Sequence, residues 1–451
     1  MEGLQLLFVD ILLFCLLEES FIERVYYMHL TDYEQRMLQG EMGEFKQIAI
    51  QNIVKYAEAL GATELCEVTK ATLFFGNQGY LSVMDTDDYE EIFSEMYLCS
   101  PKKIPLGCFD EHCACQTCVS GHDDYRYKEL RMPESSFIKN KAYLQQVIDK
   151  GVSVAGSCTP YLTGWIPIFG EHFVTTESSN VLMSNALFGA RGNADGIEAA
   201  TWSAICGRTP LWGFHLPENR YATHVFEIAC PSSTEIDWDI IGYMIGKKLP
   251  PLAVPVVAGE FKKPNIAKLK QFCAALATTS CAEMFHVVGS TPEAVTLDMA
   301  LGGKKPTATI RLTEEDYWQT FHELCSPGGG PIQFVTLGCP HYTLDEVRQI
   351  AQYIRGRKVH PEVLMLVNVD VSIRAMCELS GYVQAIEEAG GYVVTSGCAL
   401  SYGEACFRHA SAMAADSSKQ VQYLSSETNM PIYYGNKYQC IDAAVNGRWD
   451  D

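Results

Sequence analysis

The sequence predicts an α/β protein with mainly parallel sheets flanked by helices. Three observations carry that expectation. Short apolar runs of strand length recur from residue 151 onward. Amphipathic stretches of helix length alternate with them, which implies parallel strands joined by helical crossovers. Cysteines flanked by glycine, serine or proline follow two of these runs directly, where loops at strand ends belong.

Taken in order, Leu30, Thr31 and Asp32 form a helix start with Glu34 just inside it, and the pattern runs to about Leu60, where Gly61 stops it. Residues 1–27 stand apart as an N-terminal extension. Their apolar stretch is interrupted by Asp10, is too short to span a bilayer, and lacks the leading positive charge of a secretory signal. Residues 69–75 read as a short buried strand and 86–96 as an acidic amphipathic helix. Residues 100–125 read as irregular, with Cys108, Cys113, Cys115, Cys118, His112 and His122. Their spacing matches neither a zinc finger nor the plant-type ferredoxin run, so a metal loop and a flexible insertion both stay open. Buried strands are expected at 252–258, 284–288, 331–337, 359–367 and 391–395, and helices at 263–278, 313–324, 343–356 and 371–389. Residues 28–445 form the main unit, 446–451 a tail, and the Lys-Lys-Leu-Pro-Pro stretch at 247–251 is the best candidate for an internal joint.

The chain has 451 residues, 47% hydrophobic and 20% charged, enough for a large core. A net charge of −21 argues against nucleic acid or an anionic membrane as partner. The 18 cysteines are below the density of a disulfide scaffold and point to a reducing, cytoplasmic setting with free thiols.

The chemistry centres on three cysteines: Cys158 after Gly156 and Ser157, Cys339 between Gly338 and Pro340, and Cys398 after Gly397. Three such loops brought to one point would give three thiolates, which leave an iron centre with an open coordination position. The plain alternative is three buried core cysteines. Cys339 and Cys398 each follow a strand, where ligands bind in parallel sheets. Between 156 and 196 polar residues are dense within apolar sequence, which suggests a polar pocket or a structural hydrogen-bond network. Here Glu177 is a candidate general acid/base or a partner of Arg191, and Arg191 a candidate carboxylate clamp. Ser178, Ser179 and Asn185 are candidate substrate contacts. His341 is a candidate proton shuttle or supporting group, and Lys419 a candidate anion site or a solvated lysine. Residues 286–294 read as a strand end and a helix start capped by Ser290 or Thr291, a possible anion site or an ordinary turn.

These blocks, in this order over residues 28–445, resemble the catalytic large subunit or domain of the aconitase X family. The resemblance rests on the segment from Leu30 to Gly43, on Ser157 to Leu162, Gly170-Glu171-His172, Glu177-Ser178-Ser179 and Ser184 to Arg191. It continues through Gly207-Arg208-Thr209-Pro210, His215 to Arg220, His286 to Ala294, Gly338 to His341, and Ser417-Ser418-Lys419. It implies an aconitase-superfamily fold in which Cys158, Cys339 and Cys398 ligate iron, as an iron–sulfur cluster or a single ion. It implies a dehydratase acting on a small hydroxy-carboxylate such as 5-phosphomevalonate or cis-3-hydroxy-L-proline. In this family a catalytic serine lies on a small swivelling barrel domain. No such sequence is evident here, so the resemblance implies a small partner subunit. The chain departs from the family pattern in having Ser396-Gly397 before the third cysteine, where aspartate and threonine are usual, and in the stretch from Ala71 to Gly76. A binding protein that keeps the fold without the chemistry is therefore the alternative function, and an isomerase that adds water back a second enzyme reading.

Overall fold

A computed structural model describes residues 28–74, 109–119 and 126–450. The expectations for 1–27, for a helix at 86–96, and for Cys108 and His122 lie outside the described residues.

Three all-parallel sheets organise the chain. The first holds β1 (Lys70–Leu73), β2 (Ala114–Thr117) and β3 (Phe173–Thr175) in the order β2-β1-β3. The second holds β4 (His224–Ala229), β5 (Pro255–Gly259), β6 (His286–Val287) and β7 (Ala308–Thr313) in the order β6-β5-β4-β7. The third holds β8 (Phe334–Leu337), β9 (Leu364–Val369), β10 (Tyr392–Thr395), β11 (Met413–Ala415) and β12 (Ile432–Tyr434) in the order β10-β9-β8-β11-β12. Two short antiparallel pairs tie distant segments together, Leu65–Glu67 with Arg208–Pro210 and Gly330–Pro331 with Arg448–Trp449.

The apolar runs are continuous because both faces of the third sheet are covered. Along β9, Leu364 and Leu366 enter the core shared with the second sheet, while Met365, Val367 and Val369 enter the core on the opposite face. Helix ends follow local chemistry. Thr313 with Asp316 and Thr343 with Glu346 form capping boxes that start the helices Glu314–Leu324 and Leu344–Ile354.

Several boundaries differ from expectation. The N-terminal helix is two, Asp32–Leu38 and Glu44–Leu60, because the chain turns at Gly40 and Gly43 with φ of 80° and 95°. The helix expected over 371–389 also splits, into Val371–Leu379 and Tyr382–Ala389, at Gly381 with φ of 72°. The irregular reading of the cysteine-rich stretch gives way at 114–117 to strand β2, with Cys113 and Cys115 buried in the core of the first sheet. Residues 247–251, the candidate internal joint, connect the helix Glu235–Lys248 to β5 of the second sheet.

In the third sheet the strand order reverses between β8 and β11, opening a crevice at their carboxyl ends. Among the described residues no helix is long and apolar enough to cross a membrane.

Candidate active site

Cys158, Cys339 and Cys398 line one pocket of about 360 Å³, with Glu177, Ser179, Lys419 and Tyr423. Cys158 lies in the loop between the helix Glu134–Asp149 and the turn Pro160–Thr163. Cys339 follows β8 and Cys398 follows β10, while Lys419 stands in the first turn of α1 (Ser418–Glu427) after β11. The loops after β8 and β11 flank the crevice. Glu177 follows β3 of the first sheet, so the pocket lies between two sheets.

The loops are held against one another by backbone fit. Gly156 has φ of 58°, and a methyl group placed on it would sit 2.8 Å from Ser396 Cα. Only glycine permits that approach of the Cys158 loop to the Cys398 loop. The His341 amide donates to Cys158 Sγ at 3.3 Å, and its ring Nε2 donates to the Gly397 carbonyl at 2.8 Å. That bond fixes the proton on Nε2 and leaves Nδ1 to accept from the Ser157 hydroxyl at 3.4 Å. His341 is fully buried and touches all three cysteine loops from behind. Its burial, which outweighs the bond to Gly397, holds its pKa below the ordinary range. These contacts brace the loops.

Glu177 and Lys419 form an ion pair of 3.3 Å, and Lys419 Nζ also donates to Ser178 Oγ at 3.4 Å. Burial opposes ionisation of Glu177, but Lys419 and the Ser179 amide and hydroxyl outweigh it, so the carboxyl titrates below its usual range. Burial likewise opposes the Lys419 charge, yet Glu177 and the neighbouring thiols hold it firmly protonated. The pocket therefore carries a fixed ammonium and a fixed carboxylate beside three sulfurs. Burial pushes the Cys158 thiol up to about 12 and Cys339 well above its usual range, with Lys419 pulling in the opposite direction on both.

Two expected contacts lie elsewhere. Asn185 uses its whole amide on the protein: Nδ2 donates to the carbonyls of Gly192 and Glu283, each at 2.8 Å, and Oδ1 accepts from Gly192 N and Arg220. With two donors and two acceptor positions filled it has nothing left for a substrate. Arg191 sits beside His172 and His215, its backbone bridged to His172, and does not line the cysteine pocket. The Glu177 partner is Lys419 and not Arg191. The helix start expected at Ser290 or Thr291 is a turn. The helix begins at Leu297 with Thr296 as its cap, and Glu293 binds Arg220 at 2.5 Å.

Two neighbours of the pocket escaped the sequence reading. Cys118 at the end of β2 donates to Glu177 Oε2 at 3.6 Å; its place in a cysteine-rich stretch was the available signal. Asp239 accepts from the Ser418 amide at 2.7 Å and the Tyr434 hydroxyl at 2.6 Å, which anchors the first turn of α1. An aspartate two residues past the capping Asp237 gives no local hint of that.

Comparison with known proteins agrees with this architecture. Sequence profiles described as aconitase X first, second and third domain match residues 27–218, 222–322 and 332–446, which contain the first, second and third sheets. The chain is 29% identical over 426 residues to a cis-3-hydroxy-L-proline dehydratase of Pseudomonas aeruginosa, covering 93% of this chain and 70% of that protein. It is 27% identical over 430 residues to the phosphomevalonate dehydratase large subunit of Methanocaldococcus jannaschii, covering 93% and 100%. The corresponding subunit of Methanothermobacter thermautotrophicus is 30% identical over 378 residues, covering 82% and 88%. The crystal structure of Thermococcus kodakaraensis aconitase X in its holo-form superposes with a TM-score of 0.78 at 26% identity, covering 92% of this chain and all of that one.

Proposed function

The chain belongs to the aconitase X family, and from that premise we propose that it is an iron-dependent hydro-lyase that dehydrates a small hydroxy-carboxylate. The observation that carries the proposal is the convergence of Cys158, Cys339 and Cys398 on one pocket that also holds the Glu177–Lys419 pair. For an iron centre the donor set fits. Three sulfurs stand on loops braced by Gly156, Ser396 and His341, and the Lys419 charge lies beside them to offset thiolate charge. Bound there, iron supplies a Lewis acid with an open position that polarises the leaving hydroxyl.

The protein's own groups do the rest. Lys419 meets the carboxylate or phosphate of the substrate, with Ser178 and Ser179 beside it. Glu177 keeps Lys419 charged and aimed, and its carboxylate is available to accept a proton. The base that removes the C–H proton is supplied by a small swivel-type partner subunit; relatives named as large subunits support such a partner. Candidate substrates are 5-phosphomevalonate and cis-3-hydroxy-L-proline, the two for which the relatives are named.

The test is iron and acid-labile sulfide content after anaerobic reconstitution, beside Cys339→Ala, followed by product analysis with both substrates and the cognate small subunit. Iron that is bound by the parent and lost from the variant, with a dehydrated product, is expected. Absence of iron from the reconstituted parent would sink the reading and favour a binding protein.

A further inference from the structure

A second donor cluster lies outside the pocket. Cys66, His172 and His215 each place one ligand atom so that all three lie within 4.8 Å of one another, and they are the set that does so among the described residues. His215 Nδ1 stands 2.9 Å from His172 Nδ1 and 3.8 Å from Cys66 Sγ. We propose that these three residues bind a borderline-soft dication, of which zinc is the type, as a structural site distinct from the cysteine pocket.

Chemistry, distances and placement in the chain point to it. The first is chemical. An imidazole nitrogen has one lone pair or one proton, so His215 Nδ1 can satisfy only one of its two neighbours by hydrogen bonding. A cation at the common centre is bonded by all three. The second is metric. Tetrahedral zinc with bonds of about 2.3 Å to sulfur and about 2.0 Å to nitrogen separates sulfur from nitrogen by roughly 3.6 Å and two nitrogens by roughly 3.3 Å. The two separations from His215 Nδ1, 2.9 and 3.8 Å, need adjustments of only a few tenths of an ångström, and all three atoms lie within 4.8 Å. One thiolate and two imidazoles suit zinc better than magnesium or calcium, and leave a fourth position for water.

The third is placement. Cys66 lies on the strand Leu65–Glu67, His172 immediately precedes β3, and His215 ends the short turn Gly213–His215. The ion would tie together three segments far apart in the chain. Glu177 follows the same β3 that His172 precedes, so cluster and pocket sit at opposite ends of one strand, roughly 15 Å apart at about 3.3 Å per residue. His215 is fully buried, which suits a structural site. Arg191 and Arg220 act electrostatically on the two imidazoles. Bound to a dication, Cys66 would be a thiolate and offset one unit of its charge.

Cobalt(II) is the probe, because thiolate ligation gives a sulfur-to-cobalt charge-transfer band. It is titrated into the full-length apo protein carrying Cys339→Ala, which disables the three-cysteine pocket, and into the same protein with Cys66→Ser added. The proposal expects the Cys66→Ser protein to bind one equivalent less cobalt with a correspondingly weaker thiolate band, and zinc to displace that equivalent. His172→Gln in the same background, at a ring that is only partly buried, should weaken that equivalent at least tenfold and serves if Cys66→Ser fails to fold. Equal stoichiometry and band intensity in the folded variants would overturn the site and leave the trio a hydrogen-bonded cluster.

Discussion

Glu177 and Lys419, 242 residues apart in the chain, meet as a buried ion pair of 3.3 Å in the wall of the three-cysteine pocket. One comes from the end of a strand in the first sheet and the other from a helix start in the third. Their pairing closes the pocket between the sheets and sets its electrostatics.

Removing one partner leaves the other as an uncompensated buried charge. Lys419→Met should therefore destabilise the fold by about 3–5 kcal/mol at neutral pH. Glu177→Gln combined with Lys419→Met should cost clearly less than the two single changes added together. Denaturant unfolding of the four proteins measures this coupling. Glu177 is held below its usual range, so its contribution is present above the unfolded carboxylate value and lost as pH falls through the folded one. The parent should lose that increment on acidification, and the double variant should not.

Asp239 has the opposite sign. Burial, opposed by bonds from Tyr434 and Ser418, raises its carboxyl to about 7, and Asp416 is raised by burial to about 6. The folded protein then holds protons that the unfolded chain has released, so stability should fall as pH rises from about 4 to about 7. At about 1.4 kcal/mol per unit the Asp239 share is up to about 4 kcal/mol. Asp239→Asn keeps an acceptor for Ser418 and Tyr434 without the charge and should flatten this slope. Unfolding midpoints at pH 5 and pH 8 check it, and an unchanged slope would refute the assignment.

Gly156→Ala should separate the Cys158 and Cys398 loops. The new methyl meets Ser396 Cα, a backbone atom that cannot swing away, and the residue must hold a positive φ. A loss of about 1–3 kcal/mol is expected from strain and overpacking. The reconstituted variant should also release iron to a chelator faster than the parent.

His341→Ala removes the bond to Gly397 and should cost about 1–3 kcal/mol through the carbonyl left unpaired. Because the imidazole is buried and neutral, the pH profile of any dehydration should keep its shape while iron retention falls. A lost limb in that profile would instead make His341 a proton carrier.

Arg220 joins three stretches that read as separate motifs. It pairs with Glu293, donates to the side chain and carbonyl of Asn185, and accepts from His286 through its own carbonyl. Arg220→Met should destabilise by about 3–5 kcal/mol, with Glu293→Gln partly relieving it, as measured by thermal or denaturant unfolding.

The fold was legible because its signals are local. Apolar runs such as 391–395 name buried strands, and Thr313–Asp316 and Thr343–Glu346 name helix starts within four residues. The cysteine loops were legible because Gly156 and Gly338 mark places where backbones approach closely, and Gly397 one where side chains press on the chain. Asn185 and Arg191 were misplaced for a related reason. A polar residue in apolar sequence must find a partner, but spacing does not tell whether that partner is a ligand, a backbone carbonyl or another side chain.

By itself the sequence determined the α/β class, the alternation of strand and helix, and the three cysteines on loops, two of them at strand ends, since each depends on residues adjacent in the chain. Only the tertiary structure decided which charges meet. It gave Glu177 to Lys419, set His341 behind the cysteines, spent Asn185 on the loop at Gly192, and gathered Cys66, His172 and His215 at the far end of β3. Partner choice among buried polar groups depends on strand order and sheet packing, and those follow from contacts hundreds of residues apart.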